Sequence, residues 1–179
     1  NPHIQNSILE HLKTGIAYVP SNFATINRDY LSDRLLDLSN FPNGKVLYGN
    51  GGADANEMAC FLAQEYQSLN DRPSSRILSF QQSFHGGSTV GASLISGDAR
   101  RVAKDKYYRL PWEPILPNPN WLDNGDSSLE EINNLLDDSV SGILVEGSSG
   151  SAGCILYPEG YLKKLEKLCL EKEILLICD

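Results

Sequence analysis

GILVEGSSGSAGCILYPEGYLKKLEKLCLEKEILLICD, residues 142–179, places two short apolar runs on either side of a helical pattern. GILVE (142–146) is too short for a helix and reads as a buried strand. PEGYLKKLEKLCLEKE (158–173) has apolar residues at helical spacing, Pro in its first turn, and Lys and Glu on its outer face. Charges so placed read as a solvated face with weak ion pairs. ILLICD (174–179) is again a strand. A strand, a helix and a strand in succession define one unit of a parallel sheet.

The same alternation extends toward the amino end. RILSF (76–80) is a strand, GGSTVGASLIS (86–96) a short small-residue helix, and KYYRL (106–110) a further strand. The Pro- and Asn-rich loop PWEPILPNPNWLDNGDSS (111–128) opens a helix at SLEEINNLLDD (128–138). Upstream, KVLYG (45–49) reads as a strand and DANEMACFLAQEYQSL (54–69) as a helix. The expected fold is α/β, a doubly wound, mostly parallel sheet with helices on both faces. Residues 1–44, with helices near SILEHLKTG and NRDYLSDRLLDLSN, form a helical lead-in. Residues 45–179 form the first part of the sheet domain.

Composition narrows the function. The chain has 179 residues, 41% apolar and 21% charged, the balance of a globular domain. Its net charge of −8 opposes binding to nucleic acid or anionic lipid. The longest apolar runs fall far short of the roughly 20 residues of a membrane helix. Cys60, Cys154, Cys169 and Cys178 form no CxxC pair, which is against a zinc knuckle or a disulfide framework. Buried thiols in a reducing, cytoplasmic compartment are expected. The chain starts without Met and stops on a strand, so it reads as a fragment of a longer protein.

In doubly wound sheets ligands bind beyond the carboxyl ends of the strands. The segments expected there are NGGAD, QQSFHGG, EGSSGSAG and Asp179. NGGADANE (50–57) sets glycines before a helix start, where free N–H groups and the helix dipole favour an anion. It lacks the GK[ST] of a Walker loop, and Asp54 stands where GxGxxG needs Gly. A phosphate site and a tight turn without a ligand both remain open. Phe84 reads as core or as a ring face offered to a planar ligand. His85 reads as structural or catalytic. Glu146, ending a buried strand, needs a partner, and capping the next loop would supply one. Asp179 reads as a helix cap or as the counter-charge of a cationic ligand group. Ser83, His85 and Asp179 are the residue types of a hydrolase triad, but no GxSxG elbow supports one.

Taken together and in order, these segments resemble the class III aminotransferases, pyridoxal-phosphate (PLP) enzymes of fold type I. The likeness runs from Asn1-Pro2-His3, similar to the tail of the family's GHxxP-type segment, to Asp179. NGGADANE resembles the family's glycine turn followed by A-[ED]-A-[NV]-E, which holds the cofactor phosphate. The resemblance implies that Gly51, Gly52 and Ala53 form that cradle, with the amides of Gly52 and Ala53 as donors. Many members have Ser where Gly51 stands and some a hydroxyl where Ala53 stands, so backbone donors and a partner subunit would carry more of the load here. Phe84-His85-Gly86 resembles [YF]HG, which implies Phe84 stacking on the pyridine ring with His85 beside it. Val145-Glu146-Gly147 resembles the VEP loop, with Gly147 replacing proline, and implies Glu146 near the ring hydroxyl as a supporting catalytic carboxylate. Asp179 matches the Asp that pairs with the pyridine nitrogen. The reaction explains the acid: a protonated ring nitrogen is the electron sink, and a fixed carboxylate keeps it protonated.

The motifs look most like the branch that uses ω-amino acids, taurine or simple amines with pyruvate. The resemblance implies PLP as cofactor, an amino donor and a 2-oxo acid acceptor as substrates, and a homodimer. The family's Schiff-base lysine lies downstream of the Asp matched by Asp179. None of Lys45, Lys104, Lys106, Lys163, Lys164, Lys167 and Lys172 matches its position. The 179 residues are therefore expected to be inactive alone, and the full-length protein to be the transaminase. The competing readings are a PLP mutase or racemase of the same fold, a non-catalytic PLP-fold chain, and an unrelated nucleotide-binding module.

Overall fold

The computed structural model describes residues 1–16, 18–20, 23–72, 75–97 and 115–179, and divides the chain into two compact units, Asn1–Tyr48 and Gly49–Asp179. The first holds α1 (Pro2–Lys13) and α2 (Ile26–Leu38). Both start on side-chain caps: Asn1 accepts from the His3 N–H, and Thr25 from the Arg28 N–H. KVLYG joins no strand of the described sheet, which corrects the expected strand. A β-prone sequence becomes a strand only when a neighbour supplies the ladder and the packing. Here Tyr48 is tied to a helix instead, its hydroxyl 2.8 Å from Ser32 Oγ and donating to the Arg28 carbonyl at 3.1 Å.

The second unit runs α3 (Gly52–Leu69), β1 (Arg76–Ser79), α4 (Val90–Ile95), α5 (Asp126–Leu135), β2 (Val140–Val145), α6 (Tyr161–Glu171) and β3 (Leu175–Cys178). The three strands form one sheet in the order β1-β2-β3, with both pairings parallel. The expected strand at 106–110 lies outside the described residues.

Side chains alternate across the sheet and divide the core in two. Leu78, Ile143 and Val145 face Ile132, Tyr161, Leu165 and Cys169 of α5 and α6. Ile77 and Leu144 face Cys60 and Ala63 of α3 and Ile95 of α4. Every residue of β2 is buried, as a strand covered by helices on both faces must be. Gly142 carries no side chain because a Cβ there would come within 2.7 Å of the Leu175 carbonyl oxygen on the neighbouring strand. The doubly wound architecture is thus the observed one.

Helix boundaries differ from the expected ones where a turn competes. α6 starts at Tyr161 rather than 158, because Gly160 takes a left-handed φ of +76° and sets Pro158 outside the helix. α5 ends at Leu135 because the Asp137 carboxylate accepts from the Ser139 N–H at 2.9 Å, closing a local turn in place of another helical one. α4 begins only at Val90, where Thr89 caps the Ala92 N–H, leaving Gly86–Ser88 as loop.

Candidate functional site

The carboxyl edge of this sheet frames a cavity of about 720 Å³ within the second unit. Its lining comes from the start of α3 (Gly52, Ala53, Asn56), the loop after β1 (Phe84 to Ser88), the loop after β2 (Glu146 to Ser148) and Asp179 after β3. All four sequence-predicted segments therefore meet in one place. Gly51, just outside the lining, is the N-cap of α3, and no side chain caps that helix. Gly52 and Ala53 of its first turn line the cavity at the positive end of an 18-residue helix.

The glycines of NGGADANE do not owe their presence to backbone strain. Gly51 has φ −177°, an extended conformation open to any residue, and a Cβ on Gly51 or Gly52 would meet no atom within 4 Å. Their small size keeps the helix start approachable from outside the fold. Gly86 is a contrast. Its φ is +132°, and a Cβ there would lie 2.7 Å from the Ala53 Cβ and 2.8 Å from the Ala92 Cβ. This close approach packs the FHG loop onto the starts of α3 and α4.

Asp179 follows β3 and stays on the ladder: its N–H donates to the Val145 carbonyl at 2.9 Å, and its carbonyl accepts from the Gly147 N–H at 3.3 Å. Proline in place of Gly147 would lack that donor. The Asp179 carboxylate, about a third exposed, accepts from His85 Nδ1 at 2.7 Å and from Asn56 Nδ2 at 2.9 Å, both on Oδ2. A carboxylate only accepts, so the Nδ1 of His85 carries the proton of that bond. The other ring nitrogen, Nε2, is buried and has no partner among the described residues. The His85 N–H donates to Ser96 Oγ at 2.9 Å, anchoring the residue from its backbone side.

Glu146 Oε2 accepts from the Phe84 N–H at 3.2 Å and the Ser149 hydroxyl at 3.3 Å. It thereby ties the loop after β1 to the loop after β2. Behind it, Tyr157 stacks on Tyr161 with ring centroids 5.5 Å apart. Burial, with the Glu146 charge adding to it, pushes the Tyr157 phenol well above its ordinary range. Ser83 does not line the cavity, and its hydroxyl oxygen accepts from the Gly97 N–H at 3.0 Å. The geometry gives no support to a hydrolase triad. Among the described residues no group of His, Cys, Asp and Glu is arranged to hold a metal ion, and no lysine lines the cavity.

Asn56 is the site residue that sequence reasoning passed over. It stands four residues after Gly52 and heads the buried stripe Asn56, Cys60, Ala63, Gln67 of α3. A polar residue leading an inward-facing stripe, one turn from a glycine helix start, was the available signal.

The class III aminotransferase family matches residues 1–179, and the chain belongs to that family. It is 31% identical over 136 residues to the acetylornithine aminotransferase of Aquifex aeolicus, an overlap of 76% of this chain and 34% of that protein. It is 31% identical over 181 residues to the ornithine aminotransferase of Staphylococcus carnosus, covering 99% of this chain and 43% of the relative. Among solved structures it resembles the taurine:2-oxoglutarate aminotransferase of Bifidobacterium kashiwanohense in complex with PLP and glutamate. The TM-score is 0.83 at 31% identity, over 99% of this chain and 42% of that one. A PLP-bound amine transaminase from an uncultivated Pseudomonas species superposes with a TM-score of 0.85 at 25% identity, over 98% of this chain and 43% of that one. The fold is that of fold type I transaminases. The chain spans about a third to two fifths of the length of these relatives.

Proposed function

We propose that this chain forms the cofactor-anchoring part of a PLP-dependent aminotransferase that moves an amino group from an amine or ω-amino acid to a 2-oxo acid such as pyruvate. The observation that carries the reading is the cavity itself, which an uncapped helix start and a hydrogen-bonded carboxylate both line. That pair of features suits a ligand with a phosphate and a protonated ring nitrogen. The residues fit PLP: Gly51 and Gly52 leave the α3 start open to close approach, and His85, which lines the cavity, keeps a buried nitrogen without a partner among the described residues.

In this reading the N–H groups of Gly52 and Ala53 hold the phosphate, and the Phe84 ring covers a face of the pyridine. Asp179 holds a proton at the ring nitrogen, and Glu146 lies toward the ring hydroxyl. Bound here, PLP supplies the electron sink that stabilises a carbanion at the substrate carbon. Asp179 keeps that sink protonated because a fixed negative charge favours the protonated form of its neighbour. The Schiff-base lysine is placed in the full-length protein downstream of Asp179. The relatives named for ornithine, acetylornithine and taurine share a primary amine at a chain end, which supports an ω-amino donor.

A homodimer with shared sites would supply further phosphate donors. No helix among the described residues is long and apolar enough to cross a membrane, and four cysteines free of disulfides support a reducing, cytoplasmic location. The test is an amino-donor screen on the full-length protein with PLP and pyruvate or 2-oxoglutarate. Amino transfer from terminal amines is the expected result. A protein that binds PLP but only racemises or shifts the amino group within one substrate would overturn the assignment.

A further inference from the structure

We infer that Asn56 is a positioning residue for Asp179: its side-chain amide fixes one carboxylate oxygen so that the other is presented to the ring nitrogen. The inference rests on the PLP reading of the site for its consequence, but the geometry stands independently. Asn56 is 7% exposed, and its Nδ2 reaches two acceptors, the Asp179 Oδ2 at 2.9 Å and the His85 carbonyl at 3.0 Å. Both partners only accept, so the amide orientation is determined: nitrogen must face them.

The arrangement closes a small ring of contacts. Asn56 donates to the His85 main chain, His85 donates from its ring to Asp179, and Asn56 donates to the same Oδ2 atom. Among the described residues, no hydrogen bond falls on Asp179 Oδ1. Two donors on one oxygen remove the carboxylate's rotational freedom about its last bond. A carboxylate that turns freely would offer its charge at variable distance, and errors near 1 Å in placement cost about 10²-fold in rate. The tether also couples the two ends of the cofactor site. Asn56 lies one helical turn below Gly52, so the helix that presents its N-terminus to the phosphate also fixes the acid.

A purely structural Asn56 would act through stability alone, and the two roles separate in measurements other than turnover. In apo full-length protein labelled with ¹⁵N-histidine, the His85 Nδ1 proton should be slowly exchanging. Asn56→Leu, of similar size without donors, should speed its exchange about tenfold, the effect of losing one charge-assisted hydrogen bond from the network. In protein loaded with ring-¹⁵N-labelled PLP, the same variant should move the ring-nitrogen resonance toward its unprotonated position. Its kcat should fall about 10- to 100-fold while PLP affinity changes little.

Asn56→Asp, of nearly the same shape, serves if the leucine variant does not fold. It sets a second carboxylate against Oδ2, so the pair must share a proton and the ring-nitrogen signature should weaken further. A folded variant of either kind with an unchanged His85 proton and an unchanged ring-nitrogen resonance would overturn the tether. Failure of the unsubstituted protein to bind PLP would overturn the cofactor assignment instead, so the two failures are told apart.

Discussion

The two ends of α3 do opposite things with similar side chains. At its carboxyl end the buried Gln67 donates to the Glu173 carbonyl at 2.7 Å and lies 3.5 Å from the Ser141 carbonyl. Nearby, Arg72 donates to the Glu173 carbonyl and carboxylate at 3.0 Å each and to the Lys172 carbonyl at 3.2 Å. Those donors serve a carbonyl of β2 and the turn that enters β3. At its amino end Asn56 donates to a carboxylate as well as to the His85 carbonyl, beside a histidine nitrogen that no described residue satisfies. Buried polar groups normally find partners. One edge of the sheet completes itself, and the other leaves, among the described residues, an uncapped helix start and an unbonded Asp179 Oδ1 at a cavity.

The largest break in this contrast should come from Asp179. In the full-length protein, Asp179→Ala should lower turnover about 10²- to 10³-fold, the cost of one preorganised electrostatic contact, with far less effect on PLP affinity. Equal losses in both would assign Asp179 to anchoring only. Gly86→Ala should come next. Its Cβ would overlap Ala53 and Ala92 at a φ of +132°, so the urea midpoint should report a loss of about 1–3 kcal/mol. Because the clash displaces the start of α3, PLP should also bind more weakly. At the opposite edge, Gln67→Ala should cost about 1–2 kcal/mol by removing the hydrogen bond of a buried amide, yet leave PLP affinity unchanged. A drop in PLP affinity for Gln67→Ala would erase the distinction between the edges.

The smallest effect belongs to the cysteines of the helices that flank the sheet. Burial pushes the Cys60 thiol, with Glu57 adding to it, and the Cys169 thiol, with Cys178 and Glu166 adding to it, up to about 12. Since the folded values lie above the ordinary value of 9.0, the folded state holds these protons more tightly. The stability contribution is therefore full below about pH 9 and lost as pH rises toward about 12. A thiol reagent at neutral pH should modify the exposed Cys154 long before Cys60 or Cys169. Equal labelling would show that α3 and α6 do not pack on the sheet as described.

Much of this was legible because strand and helix periods differ. GILVE announced a buried strand and ILLIC another beside it, and their tips located Glu146 and Asp179 at the sheet's carboxyl edge. KVLYG misled because its β propensity says nothing about whether a neighbouring strand exists, and here Tyr48 bonds to α2. Gly160 and Asp137 moved helix ends by turn chemistry that apolar periodicity does not encode. Asn56 was hidden for another reason. Its role comes from residues 29 and 123 positions away, and contacts of that kind are made by folding alone.

The most direct test of the central claim is a crystal structure of the full-length protein with PLP. The account predicts the phosphate on the N–H groups of Gly52 and Ala53, and the ring nitrogen within hydrogen-bonding distance of Asp179, with Asn56 still holding Oδ2. A cofactor bound away from the start of α3, or with its ring nitrogen turned away from Asp179, would contradict it.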